Sequence, residues 1–430
     1  DLPSLLKTSA GRRSLLMGQI SRFYPAFRMA ARFYRTNALK DMRLTAVVGS
    51  LGKTTTARAI ACLPGIATPE NERNADYAVI LNLLSLPSQS RFGVMEVGID
   101  GPGQMSPHAR MIRPDITVVT SIAHEHILSF KTLENIREEK AAMVRVLAES
   151  GTAILNADDP NVMWMAGQTK AGTITYGFDS RADVRGRITK TCFPRGMELE
   201  VTTGEEAFKL NSKLLGRHMA YPLLAALAFA RSEKLDLSEC VLRLESLHPV
   251  EGRMQRIDLD SGAEVITDEV KSTRETIWSS LDTLKECRAK RKIAIFGSAS
   301  EVTNDIRYDF HRDWGRRIAE SADLAIIINH REMFRTIRRG ATLARMPAER
   351  LTRVSGNALS VLKELPDDLG SGDLLLIKGR TDERLARITL ALEGKKVGCR
   401  LKHCPIRSIW CRTCPWLENG PGDSLKPGGQ

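Results

Sequence analysis

The chain has 430 residues, of which 42% are hydrophobic and 27% charged, and its formal net charge is +12. This length is enough for two or three domains, and this composition excludes a disordered or fibrous chain. Eight cysteines are too few for a disulfide scaffold and indicate a reducing compartment, so we expect a cytoplasmic protein.

The positive charge is concentrated at the two ends of the chain. Residues 1–43 hold nine Lys/Arg against two Asp, a net charge of +7, and residues 395–430 hold seven against two acidic residues, a net charge of +5. The core between them is therefore neutral, which argues against a uniformly basic nucleic-acid-binding domain and a nucleic-acid partner. No apolar run approaches the roughly 18 residues of a membrane-spanning helix.

Residues 1–43 are predicted to form a basic amphipathic helical leader. Apolar residues recur at helical spacing from Ile20 to Tyr34, and the arginines fall largely between them. Pro25 fits the first turn of a helix, so we expect a break near Tyr24. Two interpretations stay open: the helix packs on its own domain, or it makes a peripheral contact with an anionic membrane and makes the protein membrane-associated.

From Leu44 onward, short apolar strands alternate with helical stretches, which predicts an α/β fold with mainly parallel sheets. The predicted strands are Leu44–Val48, Phe92–Val97, Ile116–Thr120, Thr152–Leu155, Lys292–Phe296, Leu324–Ile328 and Leu374–Ile377. Segments 184–188 and 198–201 predict a small antiparallel excursion, and 214–232 predicts a helix. We expect domains at 44–250 and 251–394, between the leader 1–43 and a basic Cys-containing tail at 395–430.

A phosphate-binding loop follows the first predicted strand. Its residues are Gly49-Ser50-Leu51-Gly52-Lys53-Thr54-Thr55. Glycines let backbone N–H groups approach an anion, and the start of the following helix adds partial positive charge. We expect Lys53 to contact the β- and γ-phosphates of a nucleotide, and the hydroxyl of Thr54 or Thr55 to hold Mg²⁺.

The chain resembles the Mur ligase family, and within it the MurF type. The residues that carry the resemblance follow one another in order: Gly49–Thr56, Thr68–Asn74, Leu81–Leu84, Met95–Gly98, Arg113–Asp115, His126, Lys140, Asn156–Asp159, Gly216–His218, Gly252–Arg253, Asp268–Lys271 and Lys378–Arg380. The resemblance spans residues 44 to roughly 393. It implies a P-loop-containing, parallel-sheet ATPase domain followed by a smaller, Rossmann-like C-terminal α/β domain.

The activity implied by the resemblance is that of an ATP-dependent, ADP-forming ligase. Such an enzyme activates a small-molecule carboxylate as an acyl phosphate and couples it to an amino-acid or dipeptide amine, here in peptidoglycan-precursor synthesis. Only 48 residues precede Gly49, so we expect a truncated N-terminal substrate domain. The alternative is a Mur-like ligase that acts on a non-UDP acceptor, namely a lipid-linked, polyglutamyl or secondary-metabolite carboxylate.

Particular site residues follow from the same resemblance. Lys53, Glu96, His126, Lys140 and Arg253 are expected to be catalytic, and Thr54, Glu96, His126 and Lys140, the last as a carbamate, to bind Mg²⁺. The nucleotide is expected to contact Gly49, Ser50, Gly52, Lys53, Thr54, Thr55, Asn156, Asp268 and Lys271. Asp268, Lys271 and Arg253 belong to the second domain, so the resemblance implies that catalysis requires domain closure.

The tail holds half of the cysteines of the chain. Cys411 and Cys414 have metal-ligand spacing, and Cys399 and Cys404 could complete a tetrahedral zinc site. The sequence leaves three states open for these side chains: zinc ligands, unpaired thiols and disulfides.

Overall fold

The computed structural model describes residues 23–70, 74, 76–406 and 409–420. The described chain divides into two compact units. The larger unit contains the described residues up to Thr191 together with Gly196–His248, and the smaller contains Cys192–Arg195 and the described residues from Pro249 onward. In these ranges, no helix has the length and apolarity needed to cross a membrane. Residues 1–22 of the predicted leader lie outside the described residues.

The larger unit is built on a nine-stranded sheet in the order β2-β3-β1-β4-β5-β6-β7-β8-β9. Its strands are β1 Arg43–Val48, β2 Ile66–Ala67, β3 Phe92–Glu96, β4 Ile116–Val119, β5 Thr152–Asn156, β6 Gly172–Gly177, β7 Val184–Thr191, β8 Met197–Thr203 and β9 Glu206–Ser212. The pairs from β2 to β7 are parallel, and β7, β8 and β9 are antiparallel. The antiparallel excursion is confirmed, with a third strand, β9, that the sequence pattern did not indicate.

Helices flank the parallel part of this sheet. They are α1 Tyr24–Asn37, α2 Lys53–Ala61, α3 Asp76–Ser85, α4 Met105–Ile112, α5 Ile127–Phe130, α6 Leu133–Arg145, α7 Pro160–Met163, α8 Ala220–Ser232 and α9 Leu237–Glu245. The predicted helix over 214–232 begins later, at Ala220, because Gly216 adopts a positive φ of 93° and a 3₁₀ turn over Arg217–Met219 comes first.

The central strands bring their carboxyl ends to one edge of the sheet. Five of the six residues of β1 are buried, the exception being Arg43, and every residue of β3 and β4 is buried. This is typical of parallel strands covered on both faces. Val47 pairs with Glu96 of β3, and Val48 pairs with Val119 of β4. The segments that follow β1, β3 and β4 therefore meet at this edge, where the candidate site lies.

Helix α1 packs on the larger unit. It begins at Tyr24 with Pro25 in its first turn, as predicted. Ala31 is fully buried, and the Tyr34 hydroxyl donates a hydrogen bond to the Leu86 carbonyl at 2.7 Å. Buried Arg35 donates to the carbonyls of Ile112 and Arg113 and, at 2.8 Å, to Asp115 Oδ2.

The smaller unit is a six-stranded sheet in the order β10-β11-β15-β12-β13-β14. Its strands are β10 Gln255–Asp258, β11 Glu264–Asp268, β12 Arg291–Phe296, β13 Leu324–Ile328, β14 Leu351–Val354 and β15 Asp373–Lys378, and its helices are α10 Arg274–Glu286, α11 Arg307–Ser321, α12 Phe334–Leu343 and α13 Ala386–Leu392. Only the β10–β11 pair is antiparallel. The two parallel-rich sheets confirm the predicted α/β fold class.

Candidate active site

The loop between β1 and α2 forms an anion cradle. A Cβ atom on Gly49 would lie 2.0 Å from Thr120 Oγ1, so only glycine allows this close approach of the backbone to the neighbouring loop. Gly52 precedes α2 with a φ of 84°, and no side chain caps the helix. The first N–H groups of α2 therefore lack both an intrahelical acceptor and a side-chain cap, an arrangement that fits a phosphate group.

Lys53 is folded back over this loop. Its Nζ donates hydrogen bonds to the carbonyls of Gly49 at 2.9 Å and Ser50 at 3.0 Å, and it lies 3.3 Å from Glu125 Oε2. Both side chains are buried, with 5% and 9% of their surface exposed. The ammonium thus has an internal carboxylate partner at the position where phosphate oxygens are expected.

Thr54 and Glu96 supply oxygen ligands at the edge of the cradle. The Thr54 hydroxyl donates to Glu96 Oε2 at 2.8 Å, and the Asn74 amide donates to the other oxygen of the same carboxylate. Thr55 is buried in the first turn of α2. Hydroxyl and carboxylate oxygens are the ligands that Mg²⁺ prefers, so the pair Thr54–Glu96 fits this ion when a nucleotide phosphate completes its coordination.

Lys140 approaches the cradle from α6. Its side chain is 98% buried, and its Nζ donates to the Gly49 carbonyl at 2.8 Å. Burial lowers the pKa of Lys140 well below its ordinary value, and the charge of Lys53 lowers it further, while Glu139 and Glu96 oppose the shift. A buried lysine with a lowered pKa presents a neutral amine, the form that reacts with CO₂ to give a carbamate.

Three other predicted site residues, His126, Ser50 and Asn156, contact the loops around the cradle. His126 lies just before α5 with a positive φ of 61°, and its Nε2 is 3.8 Å from Glu125 Oε1. The Ser50 hydroxyl is fully buried and exchanges hydrogen bonds with the backbone of Ala123. The Asn156 side-chain amide donates a hydrogen bond to the Thr120 carbonyl, and its oxygen accepts one from the Asp158 N–H. Ser50 and Asn156 therefore hold the loops in place through the contacts seen here.

The second-domain residues form their own buried group. Lys378 Nζ donates to Asp268 Oδ2 at 2.6 Å, and the Ser280 hydroxyl donates to the same oxygen at 2.6 Å. Burial lowers the pKa of Lys378, Asp268 raises it, and the charge of Arg253 lowers it. Lys271 is partly exposed, three residues beyond Asp268.

The tail gives no support for the expected zinc site. Among the residues that the structure describes, no group of three or more His, Cys, Asp or Glu side chains could hold a metal ion. All eight cysteines, including Cys399, Cys404, Cys411 and Cys414, are free, which leaves unpaired thiols. The tail is instead fixed by the buried Arg387 of α13, which donates to the carbonyls of Cys399 and Leu401.

Two residues near the cradle were not assigned from the sequence. Glu125 stands next to His126 in a loop crowded with ionisable groups, and Asn74 ends a segment that carried the resemblance. Their contacts with Lys53 and Glu96 join residues 72 and 22 positions apart, which no local spacing rule reveals. For Glu125, the available signal was its position shortly after the predicted strand Ile116–Thr120.

Comparison with known proteins gives the following matches. The profile of the Mur ligase middle domain matches residues 47–230, and that of the Mur ligase glutamate ligase domain matches residues 252–381. A UDP-N-acetylmuramoyl-tripeptide–D-alanyl-D-alanine ligase of Bacillus subtilis (strain 168) is 22% identical over 80% of this chain and 75% of its own length. An enzyme of the same name from Synechocystis is 29% identical over 63% of this chain and 58% of its own length.

Solved structures show the same fold. The MurF ligase of Thermotoga maritima in complex with ADP superposes with a TM-score of 0.73, covering 86% of this chain and 83% of the other, at 20% identity.

Proposed function

This chain belongs to the Mur ligase family, whose members are ATP-dependent, ADP-forming ligases, and we propose that it joins an amino acid or dipeptide to a carboxylate acceptor in peptidoglycan-precursor synthesis, as MurF-type enzymes do. The observation that carries this proposal is the group formed by the uncapped loop, Lys53, the Thr54–Glu96 pair and buried Lys140. We propose that the nucleotide-binding domain spans residues 44–250 and the C-terminal domain residues 251–394.

The first chemical step brings two anions together. The acceptor carboxylate attacks the γ-phosphorus of ATP, ADP leaves, and an acyl phosphate forms. Lys53 and the backbone N–H groups of the loop hold the phosphate oxygens and offset their charge. Thr54 and Glu96, with His126 as a further candidate, are the residues to hold Mg²⁺, which supplies additional positive charge when bound.

The second step forms the amide bond. The amine attacks the acyl carbon, a tetrahedral intermediate develops, and its collapse expels inorganic phosphate while the nitrogen loses a proton. Lys140, as a carbamate, would place an anion beside Glu96 and so strengthen the cation-binding edge. We propose that Asp268 and Lys271 contact the nucleotide and that Arg253 positions them.

A non-UDP acceptor, lipid-linked in particular, is the second candidate. The observation that favours it is the outer face of α1, where Met29 and Phe33 are 70% and 69% exposed, opposite the face that carries buried Ala31 and Arg35. An exposed apolar stripe beside Arg32 is suited to a membrane interface. We propose peripheral membrane contact through this leader helix.

The substitutions Met29→Asp and Phe33→Asp are expected to weaken vesicle binding, and unchanged binding would contradict the contact.

A substrate screen tests the proposed activity. Phosphate release is measured with ATP, Mg²⁺ and pairs of acceptor and amine, including UDP-N-acetylmuramoyl-tripeptide with D-alanyl-D-alanine and lipid-linked or polyglutamyl acceptors. The intact mass of the product identifies the bond formed. Amide formation with the UDP-linked acceptor supports the MurF-like assignment, and formation only with another acceptor supports the alternative. A protein that releases no phosphate with any pair is not a ligase.

A further inference from the structure

The solvent face of α12 carries an arginine cluster that the proposed reaction does not use. We define the arginine face as Arg335, Arg338 and Arg339 of α12 together with Arg331 and Arg345 in the turns before and after the helix, all of which are exposed. Positions 335, 338, 339, 342 and 343 share one side of the helix because they are spaced three or four residues apart. Within the described ranges, none of these arginines forms an ion pair with a carboxylate.

The cluster is local, since residues 44–394 as a whole carry no net charge. The acidic residue within the segment 331–345, Glu332, is paired with Arg307 at 3.0 Å. Arg335 lies in the first turn of α12, where the helix dipole disfavours a cation, and Arg335 and Arg339 form a like-charged pair one turn apart. This arrangement destabilises the isolated helix, so packing of the fold does not account for it.

The inner face of α12 is held rigidly, which fixes the direction of the arginine face. Ile337, Gly340 and Ala341 are buried. A Cβ atom on Gly340 would lie 1.9 Å from the Arg312 carbonyl oxygen, and one on Gly315 of α11 would lie 1.8 Å from the Ile337 carbonyl oxygen. The two helix backbones are therefore in direct contact, and α12 presents its outer side as a preformed surface.

Apolar groups are interleaved with the arginines. Leu343 is 71% exposed, and the face contains an open depression of about 470 Å³ lined by Phe334, Arg335, Arg338, Arg339, Thr342 and Leu343. Guanidinium groups bind phosphate oxygens in bidentate fashion, and an exposed leucine between them can enter the interfacial layer of a bilayer. We propose that the arginine face of α12 docks on a membrane surface that displays anionic phospholipid headgroups.

A vesicle-binding experiment with the full chain tests this proposal. Binding is measured with vesicles of phosphatidylglycerol and phosphatidylcholine, and with phosphatidylcholine alone. The double variant Arg335→Gln/Arg339→Gln is compared with Arg181→Gln/Arg187→Gln, which removes two exposed arginines of the larger unit. We expect the first variant to bind anionic vesicles about 30-fold more weakly at low salt, and the control to bind as the wild type does.

The other outcomes overturn the proposal. They are wild-type affinity in the Arg335/Arg339 variant, equal losses in both variants, and absence of wild-type binding to anionic vesicles. Loss of duplex nucleic-acid binding with unchanged vesicle binding would assign the face to nucleic acid instead. If inorganic phosphate or glycerol phosphate binds the arginine face as tightly as vesicles do, the face is a site for a free anion instead. Circular dichroism and the thermal midpoint check that the variant is folded, and ATP turnover without vesicles is expected to remain unchanged.

Discussion

Four buried charged side chains surround the loop between Gly49 and Lys53: Lys53, Glu96, Glu125 and Lys140. Two are cationic types and two are anionic types, so the group is close to neutral before a nucleotide binds. A triphosphate adds several negative charges to this poorly hydrated site, and the lowered pKa of Lys140 works against a compensating charge on that residue. A metal cation is therefore required to balance the bound state.

Glu125 is predicted to hold Lys53 in the nucleotide-free protein. Glu125→Gln removes the buried carboxylate partner of Lys53 and is expected to lower the free energy of unfolding by about 1–3 kcal/mol. ATP with Mg²⁺ should then raise the thermal midpoint of the variant more than that of the wild type, because the phosphates no longer compete with Glu125 for Lys53. Thermal unfolding with and without the nucleotide measures both effects. The exposed Glu134→Gln is the matched control, and wild-type behaviour of Glu125→Gln would rule out this role.

Lys140 is predicted to act as a carbamate. Lys140→Ala is expected to abolish ligase activity, and a small carboxylic acid such as acetate or propionate is expected to restore part of it by placing an anion in the vacated space. Initial rates with and without the added acid measure this rescue. Lys170→Ala, at an exposed lysine, is the control. A density map of the metal-loaded enzyme that shows an unmodified amine at Lys140 would contradict the carbamate.

Glu269 is predicted to make stability depend on pH. Burial, with a smaller contribution from Glu251, raises the pKa of Glu269 to about 8. The folded protein then keeps a proton that the unfolded chain releases above its own pKa near 4.5, so stability is lost as the pH rises towards 8, by at most about 1.4 kcal/mol per pH unit from this group. Urea unfolding should show Glu269→Gln gaining on the wild type as the pH rises. A difference that is the same at about pH 5 and about pH 8, or that equals that of exposed Glu205→Gln, would disprove it.

At the scale of elements, the apolar strand pattern located most of the strands but missed β2, β6, β9, β11 and β14, and it indicated none of the long-range polar contacts. The run Leu44–Val48 and the glycines after it located β1 and its loop because a buried parallel strand must be apolar along its whole length. Strand β9 was missed because Glu206–Ser212 is mostly exposed and lacks an apolar run. The Asp268–Lys378 pair joins β11 to β15, and only the sheet order brings these residues together.

Arg35 is predicted to fix α1 to the larger unit. It donates to the carbonyls of Ile112 and Arg113 at the C-terminal end of α4 and to Asp115, whose carboxylate also accepts from the backbone N–H of Leu44 near the start of β1. Arg35→Met should lower the free energy of unfolding by about 1–3 kcal/mol, because it removes the donor to the buried Ile112 carbonyl, whereas Asp115 is partly exposed and keeps its hydrogen bond from Leu44. Urea denaturation measures the loss. Arg32→Met, at an exposed arginine of the same helix, should change stability little, and equal effects would contradict the assigned role.

At the scale of the whole molecule, the +12 charge is best understood by its positions. The buried group around Lys53 contains two cationic and two anionic types of side chain, and the leader helix combines exposed apolar residues with arginines. The arginine face lies at α12, and residues 44–394, which include it, carry no net charge as a whole. Charge counted along the sequence located the basic ends. The net charge of residues 44–394 could not reveal the arginine face, because carboxylates elsewhere in that range cancel the positive charge of a local cluster.

The central claim is that Lys53 and its loop drive amide formation at the expense of ATP, and simultaneous measurement of ADP and amide product tests it most directly. With an active acceptor and amine, the wild type is expected to form one ADP per amide bond, and without the amine no more than the one ADP per enzyme that acyl phosphate formation releases. Lys53→Ala should form neither, while Lys170→Ala should match the wild type. Continued turnover of ATP to ADP without the amine, or wild-type turnover by Lys53→Ala, would contradict the account.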